Sequence, residues 1–97
     1  MRRCVLVASV EVTELRTWAL LSARISELGV GECYIDALNP LPERALVALR
    51  ILRDQGVFES KAKVVHCDRR FGMSLAFIEM TPDQRSVLEN WLAEIVT

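Results

Sequence analysis

Between Val57 and Val65 the chain alternates with a period of two. Phe58, Ala62 and Val64 fall on one side, and Glu59, Lys61 and Lys63 on the other. Successive residues of a strand point to opposite faces, so this segment is a strand with one dry and one wet face. The alternation continues from Met73 to Met80, with Met73, Leu75 and Phe77 on one side. Between the two runs, Asp68-Arg69-Arg70-Phe71-Gly72 has the polar residues and glycine of a hairpin connection, which predicts antiparallel pairing. Upstream, Leu46 to Arg53 places Val47, Leu49 and Ile51 on one face. It is introduced by Asn39-Pro40-Leu41-Pro42-Glu43 and closed by Asp54-Gln55-Gly56, a second hairpin signal. Cys4 to Val12 and Trp18 to Ile25 read as two further strands, and Cys33 to Asp36 as a short one. About six strands with turns at short intervals predict a barrel or a sandwich.

The period changes at the C-terminus. Thr81 is an N-cap candidate, Pro82 suits the first helical position, and Gln84 completes a capping-box pattern. Val87, Leu88, Trp91, Leu92 and Ile95 then share one face at helical spacing, while Asp83, Arg85, Glu89 and Glu94 lie largely on the other. The expected helix spans about 82–96, and its apolar stripe is expected to pack on the strands, which span about 4–80.

Ninety-seven residues, 52% of them hydrophobic, suffice for one domain over 1–97 with a core of its own. Twelve basic and 13 acidic side chains give a net charge of −1, so no global field recruits DNA, RNA or an anionic membrane, and any anion site must be a local cluster. Cys4, Cys33 and Cys67 are odd in number and widely spaced, which fits neither a disulfide framework nor a metal site; they read as small apolar residues. No apolar run reaches the ~20 residues of a membrane span, so no membrane insertion is expected. The Arg2-Arg3 start, followed by a strand pattern, is unlike a secretion signal. A cytoplasmic location is the expectation. His66 falls in the Phe58, Ala62, Val64 series and is expected on the inward side or at the end of its strand. Nucleophile elbows, paired carboxylates and phosphate-cradling glycine loops are missing from the sequence, so an enzyme is not expected and no catalytic residue is assigned.

In order and spacing, Arg24-Ile-Ser-Glu-Leu-Gly29, Gly31-Glu-Cys-Tyr-Ile35, Leu41-Pro42, Phe71-Gly-Met-Ser-Leu-Ala-Phe77, Thr81-Pro-Asp-Gln84 and Trp91-Leu92 resemble a PilZ domain. The resemblance runs from Arg2 to about Glu94. It implies an all-β fold with one C-terminal helix, a six-stranded antiparallel PilZ-like β-barrel capped by an amphipathic α-helix. It also implies a bacterial signalling module whose ligand is cyclic di-GMP.

In PilZ domains that bind this nucleotide, an RxxxR motif precedes the first strand and a [D/N]xSxxG motif lies in the turn after the second. Carried over, the resemblance makes Arg2, Arg3, Arg24, Ser26 and Gly29 the candidate ligand-binding residues. Arginine suits the ligand through its permanent charge, its forked donors for phosphate and guanine edges, and its flat stacking face. The sequence departs from the pattern in two places. Leu6 or Val7 stands where the second arginine belongs, and Arg24, which has no acceptor, stands where a carboxylate or amide belongs. In an alternative register that aligns Gly31-Glu32-Cys33-Tyr34-Ile35, Glu32 replaces a glycine. Arg24 could restore positive charge together with Arg2, Arg3 or the hairpin pair Arg69-Arg70.

Two functions follow. One is a cyclic di-GMP receptor whose ligand orders the N-terminal arm. The other is a PilZ adaptor that works without the nucleotide, by protein contact, as members serving motility or type IV pili do. Its protein partner would meet a patch involving Trp18, Tyr34 or Phe71.

Overall fold

The computed structural model describes residues 3–54 and 56–96. Six strands, β1 Arg3–Glu14, β2 Leu20–Gly29, β3 Glu32–Asp36, β4 Leu46–Arg53, β5 Gly56–Asp68 and β6 Gly72–Glu79, are followed by helix α1, Pro82–Val96. The strands close into a barrel in the order β1-β2-β3-β6-β5-β4, with every neighbouring pair antiparallel. This is the expected six-stranded barrel with its C-terminal helix.

The period-two pattern fills the interior as anticipated. Val47, Leu49 and Ile51 of β4, Phe58, Ala62 and Val64 of β5, and Met73 and Leu75 of β6 are all buried. Glu59, Lys61 and Lys63 face solvent. Two departures from strict alternation have a common cause. Ile25 and Leu28 both point inward although they are three positions apart, because β2 carries a bulge between Ile25 and Glu27. An extra residue in one strand reverses the parity that follows it. A second irregularity, between Val64 and His66, does the same in β5. His66 is therefore exposed near the end of β5, so of the two placements read from the alternation the strand end holds and the inward side does not.

The strand expected from Trp18 begins only at Leu20. Glu14 gathers the preceding turn: its carboxylate accepts hydrogen bonds from Arg16 N–H and Thr17 N–H, while its backbone carbonyl accepts one from Trp18 N–H at 2.8 Å. Trp18 adopts φ 63° and 74% exposure. The Asp68-to-Gly72 connection is the expected hairpin, with Phe71 N–H donating to Asp68 O at 2.9 Å and Arg70 at φ 74°.

Helix α1 lies against β5 and β1 and covers one mouth of the barrel. Leu88 is fully buried and Trp91 nearly so, with Val87, Leu92 and Ile95 packed around them. Trp91 reaches Phe58 with ring centroids 6.3 Å apart, and the Arg53 guanidinium stands 5.7 Å from the indole centroid. At the N-terminus Gln84 N–H donates to Thr81 Oγ1 at 3.2 Å, which is half of a capping box. The other half is absent, because Gln84 Oε1 accepts from Glu59 N–H of β5 at 2.8 Å and ties helix to barrel instead.

Gly72 is required by close approach. A Cβ there would stand 2.2 Å from the Ile35 carbonyl oxygen and 2.8 Å from the Tyr34 ring. Gly72→Ala should therefore lower stability by about 2 to 3 kcal/mol. Trp91→Ala, which empties the covered mouth, should cost about 3 to 5 kcal/mol. Urea unfolding followed by circular dichroism measures both, and wild-type midpoints would contradict this packing.

Candidate functional site

Of the candidate ligand-binding residues, Arg2 lies outside the described residues. Arg3 opens β1 and pairs across the ladder with Gly29, the last residue of β2. Its guanidinium is held between two carboxylates, Nε 3.2 Å from Glu32 Oε1 and Nη1 3.5 Å from Glu27 Oε1. Glu27 is placed to do this by the bulge in β2, and Glu32 by the tight Val30-Gly31 turn into β3.

Ser26 and Gly29 belong to β2 itself, so they do not form the turn expected after the second strand. Ser26 sits at the bulge, where its hydroxyl donates to Asp36 Oδ1 of β3 at 3.2 Å. Asp36 is also the cross-strand partner of Arg24. A carboxylate thus stands beside Ser26 after all, contributed by the neighbouring strand, while Arg24 occupies the position of the expected acid. Sequence spacing held no sign of Asp36, since only the β2–β3 register brings it there. Arg24 itself is exposed, borders a shallow recess with Ser9, Glu11 and Ser22, and has no ion pair among the described residues.

The four described candidates do not converge. Arg3 and Gly29 lie at one end of β2, and Arg24 lies five residues back along it, about 15 Å at the usual strand rise. The Arg69-Arg70 pair is farther still, on the hairpin at the opposite barrel end from Arg3. Around this stretch Glu27, Glu32 and Asp36 outnumber Arg3 and Arg24. A ligand with two phosphodiesters would meet carboxylates here and would have to displace Arg3 from both of its partners.

A second polar cluster, not anticipated, links three elements. Tyr34 of β3 donates its hydroxyl to Asp68 Oδ2 at 2.8 Å, His66 Nε2 lies 2.7 Å from Asp68 Oδ1, and His66 Nδ1 lies 3.8 Å from Glu43 Oε2 of the loop before β4. The hydrogen bonds from Tyr34 and then His66 hold the Asp68 carboxyl below its ordinary range. Desolvation, with the hydrogen bond and negative charge of Asp68 added, pushes the Tyr34 hydroxyl up to about 12. Tyr34 is thus half-buried and engaged, unlike the exposed Trp18 and Phe71. The Cys33 thiol is pushed up to about 12, chiefly by burial, which leaves it protonated and inert. Among the described residues no group of three or more histidine, cysteine, aspartate or glutamate side chains is arranged to hold a metal ion.

No family model matches the chain, and no curated protein matches it in sequence. Solved structures do match in fold. The PilZ domain with c-di-GMP of YcgR from Escherichia coli superposes with a TM-score of 0.81 at 17% identity, over 98% of this chain and 88% of that one. The PilZ domain of CeSA from a cellulose-synthesizing bacterium gives 0.75 at 14% identity over the whole of both chains. The Bacillus subtilis inhibitor of motility, MotI/DgrA, gives 0.76 at 16%, over 95% of this chain and 47% of that one. The chain has the PilZ fold that its sequence resembles.

Asp68 is more acidic in the fold than in the unfolded chain. Its contribution to stability is complete above the ordinary carboxylate range near pH ~4 and is lost as pH falls through its depressed value. Tyr34→Phe, which removes the main cause of that depression, should flatten the acid limb of a pH series of thermal melts. In the wild type, tyrosinate absorbance should titrate near 12 when folded and near ~10 when unfolded. A folded titration at the lower value would mean the Tyr34–Asp68 bond does not persist in solution.

Proposed function

We propose that this PilZ-fold chain is a signalling module that acts by protein contact, and that its own affinity for cyclic di-GMP is weak. The observation that carries this reading is the Arg3 guanidinium bracketed by Glu27 and Glu32. A guanidinium already paired with two carboxylates must give up both charge-assisted contacts before it can take a phosphate, and the carboxylates remain beside the ligand afterwards. Arg24 compounds the effect. It supplies donors where a guanine edge needs an acceptor, and Asp36, which could accept, is engaged with Ser26. No helix among the described residues is long and apolar enough to cross a membrane. A cytoplasmic adaptor that meets its partner through exposed apolar side chains, in a motility-type pathway, fits these features.

The receptor reading keeps specific support. The YcgR domain, solved with c-di-GMP, matches nearly the whole chain in fold, and by sequence spacing Arg3 can stand for the first arginine of one motif, and Ser26 and Gly29 for the serine and glycine of the other. In this second reading Arg2 and Arg3 together turn toward the nucleotide and release Glu27 and Glu32.

Isothermal titration with cyclic di-GMP separates the two. The wild-type chain is expected to bind no tighter than about 100 µM, roughly −5.5 kcal/mol. Glu27→Gln/Glu32→Gln, which frees Arg3, is expected to tighten binding by about ten-fold, or about 1.4 kcal/mol. Micromolar binding by the wild type that disappears in Arg2→Ala/Arg3→Ala would instead establish the receptor.

A further inference from the structure

The β2–β3 ladder ends before β2 does. Its outermost pair is Arg24–Asp36, while β2 reaches back to Leu20, so Leu20 to Ala23 have β1 on one side and, among the described residues, no strand on the other. The chain after Asp36 does not take that place. Ala37 N–H donates to Phe71 O at 3.0 Å, Leu38, Asn39 and Pro40 flank a cleft with Cys67, Arg69 and Arg70, and Arg44 N–H donates to Val64 O at 2.8 Å. All of these contacts lie on the β5–β6 side of β3.

The β1–β2 ladder fixes which backbone groups face outward from this edge. Glu14 N–H donates to Ala19 O at 2.9 Å, and hydrogen-bonded and open positions alternate along an antiparallel pair. Val12–Leu21 and Val10–Ala23 are therefore bonded pairs, and Thr13–Leu20 and Glu11–Ser22 are open ones. The N–H and C=O groups of Leu20 and Ser22 thus point away from β1, along the line that a longer β3 would follow. Proteins usually guard such an edge with charge or proline. The run Trp18-Ala-Leu-Leu-Ser-Ala23 contains neither. Trp18 and Leu20 are 74% and 67% exposed, and so are Leu38 and Phe71, on the segments that turn aside, at 80% and 74%.

We propose, on the protein-contact reading given above, that an extended apolar segment of a partner protein adds to β2 as a short strand along Leu20 to Ala23. The edge itself selects this occupant. Donors and acceptors at strand spacing are met by another extended backbone, which is strand addition. A lipid interior leaves them unpaired, and a helix has already spent its backbone groups internally. Leu20 and Trp18 favour apolar side chains at every second position of the added segment.

Amide exchange of the whole chain, followed by NMR, reads the edge directly. In the free protein the Leu21 and Ala23 amides, bonded to β1, are expected to exchange about 100-fold more slowly than those of Leu20 and Ser22. The capped peptide acetyl-Thr-Val-Thr-Val-Thr-Val-amide is expected to bind with a Kd of about 1 mM or tighter, and at about 5 mM to slow the Leu20 and Ser22 amides several-fold. The same peptide N-methylated at alternate residues keeps the side chains but loses the donors, and should not. Ser22→Pro removes an edge donor without touching a β1–β2 bond, so it should still fold by circular dichroism and weaken peptide binding about ten-fold. Leu20 and Ser22 amides as slow as their neighbours in the free monomer would overturn the proposal. Equal binding of the N-methylated peptide, or no binding of either peptide at about 5 mM, would overturn it too. Slow exchange found only where sedimentation shows a dimer would give the edge to a second copy instead. None of these readouts involves cyclic di-GMP, so a nucleotide-binding chain whose edge still pairs with the peptide would sink only the function proposed above.

Discussion

The ladder that joins β1 to β4 is what makes this sheet a barrel. Ser9 to Glu14 pair with Leu52 to Val47 while the other edge of β1 pairs with β2, so β1 is shared by both ends of the sheet. Closure removes the exposed edges that a six-stranded sheet would otherwise present, and it brings the inward residues of β4, β5 and β6 against those of β1 and β2. The seam is shorter than β1. Where β4 ends, α1 packs against β1 and β5, and Trp91 and Leu88 complete an interior that the strands leave open. Helix and seam are therefore one solution to one problem.

The bulges carry the local consequences. In β2 the irregularity at Ser26 lets Ile25 and Leu28 both reach the core, and in doing so it turns Glu27 outward to Arg3 and Ser26 outward to Asp36. A feature needed for packing thus fixes the electrostatics of the surface where the resemblance places a nucleotide. In β5 the irregularity before His66 moves the imidazole out of the barrel, to a hydrogen bond with Asp68 and within 3.8 Å of Glu43, so that β3, β5 and the loop before β4 share one polar cluster.

Fold and ligand chemistry come apart on this scaffold because they depend on different residues. The barrel needs its alternating apolar positions, Gly72 under the Tyr34 ring and the Trp91 plug, and all of these are present. A phosphate-binding surface needs unpaired cations that converge. Here Arg3 is paired with two carboxylates, and the arginines without an ion pair among the described residues are scattered, Arg24 on β2, Arg85 on α1, and Arg44, Arg69 and Arg70 on the loops at the opposite end. The same fold thus presents two ends of different character, one helix-capped, the other bearing the exposed Trp18, Leu38 and Phe71.

The strands and helix were legible in the chain because each pattern is local. Val47, Leu49 and Ile51 announce a strand, and Val87, Leu88, Trp91, Leu92 and Ile95 a helix, since burial selects one face and the face repeats with the element's own period. The local signals also located the hairpin at Asp68 to Gly72 and half of the helix cap. What failed were readings that extended a local period through a bulge, as at His66, or placed a side chain without its cross-strand neighbours, as at Ser26. The sequence by itself determined that the strands and helix form and which faces they bury. The tertiary structure alone decided that Asp36 stands beside Ser26, that Glu27 and Glu32 enclose Arg3, and that Trp18, Leu38 and Phe71 share one end. Those facts depend on inter-strand register, which is set by contacts between residues far apart in the chain.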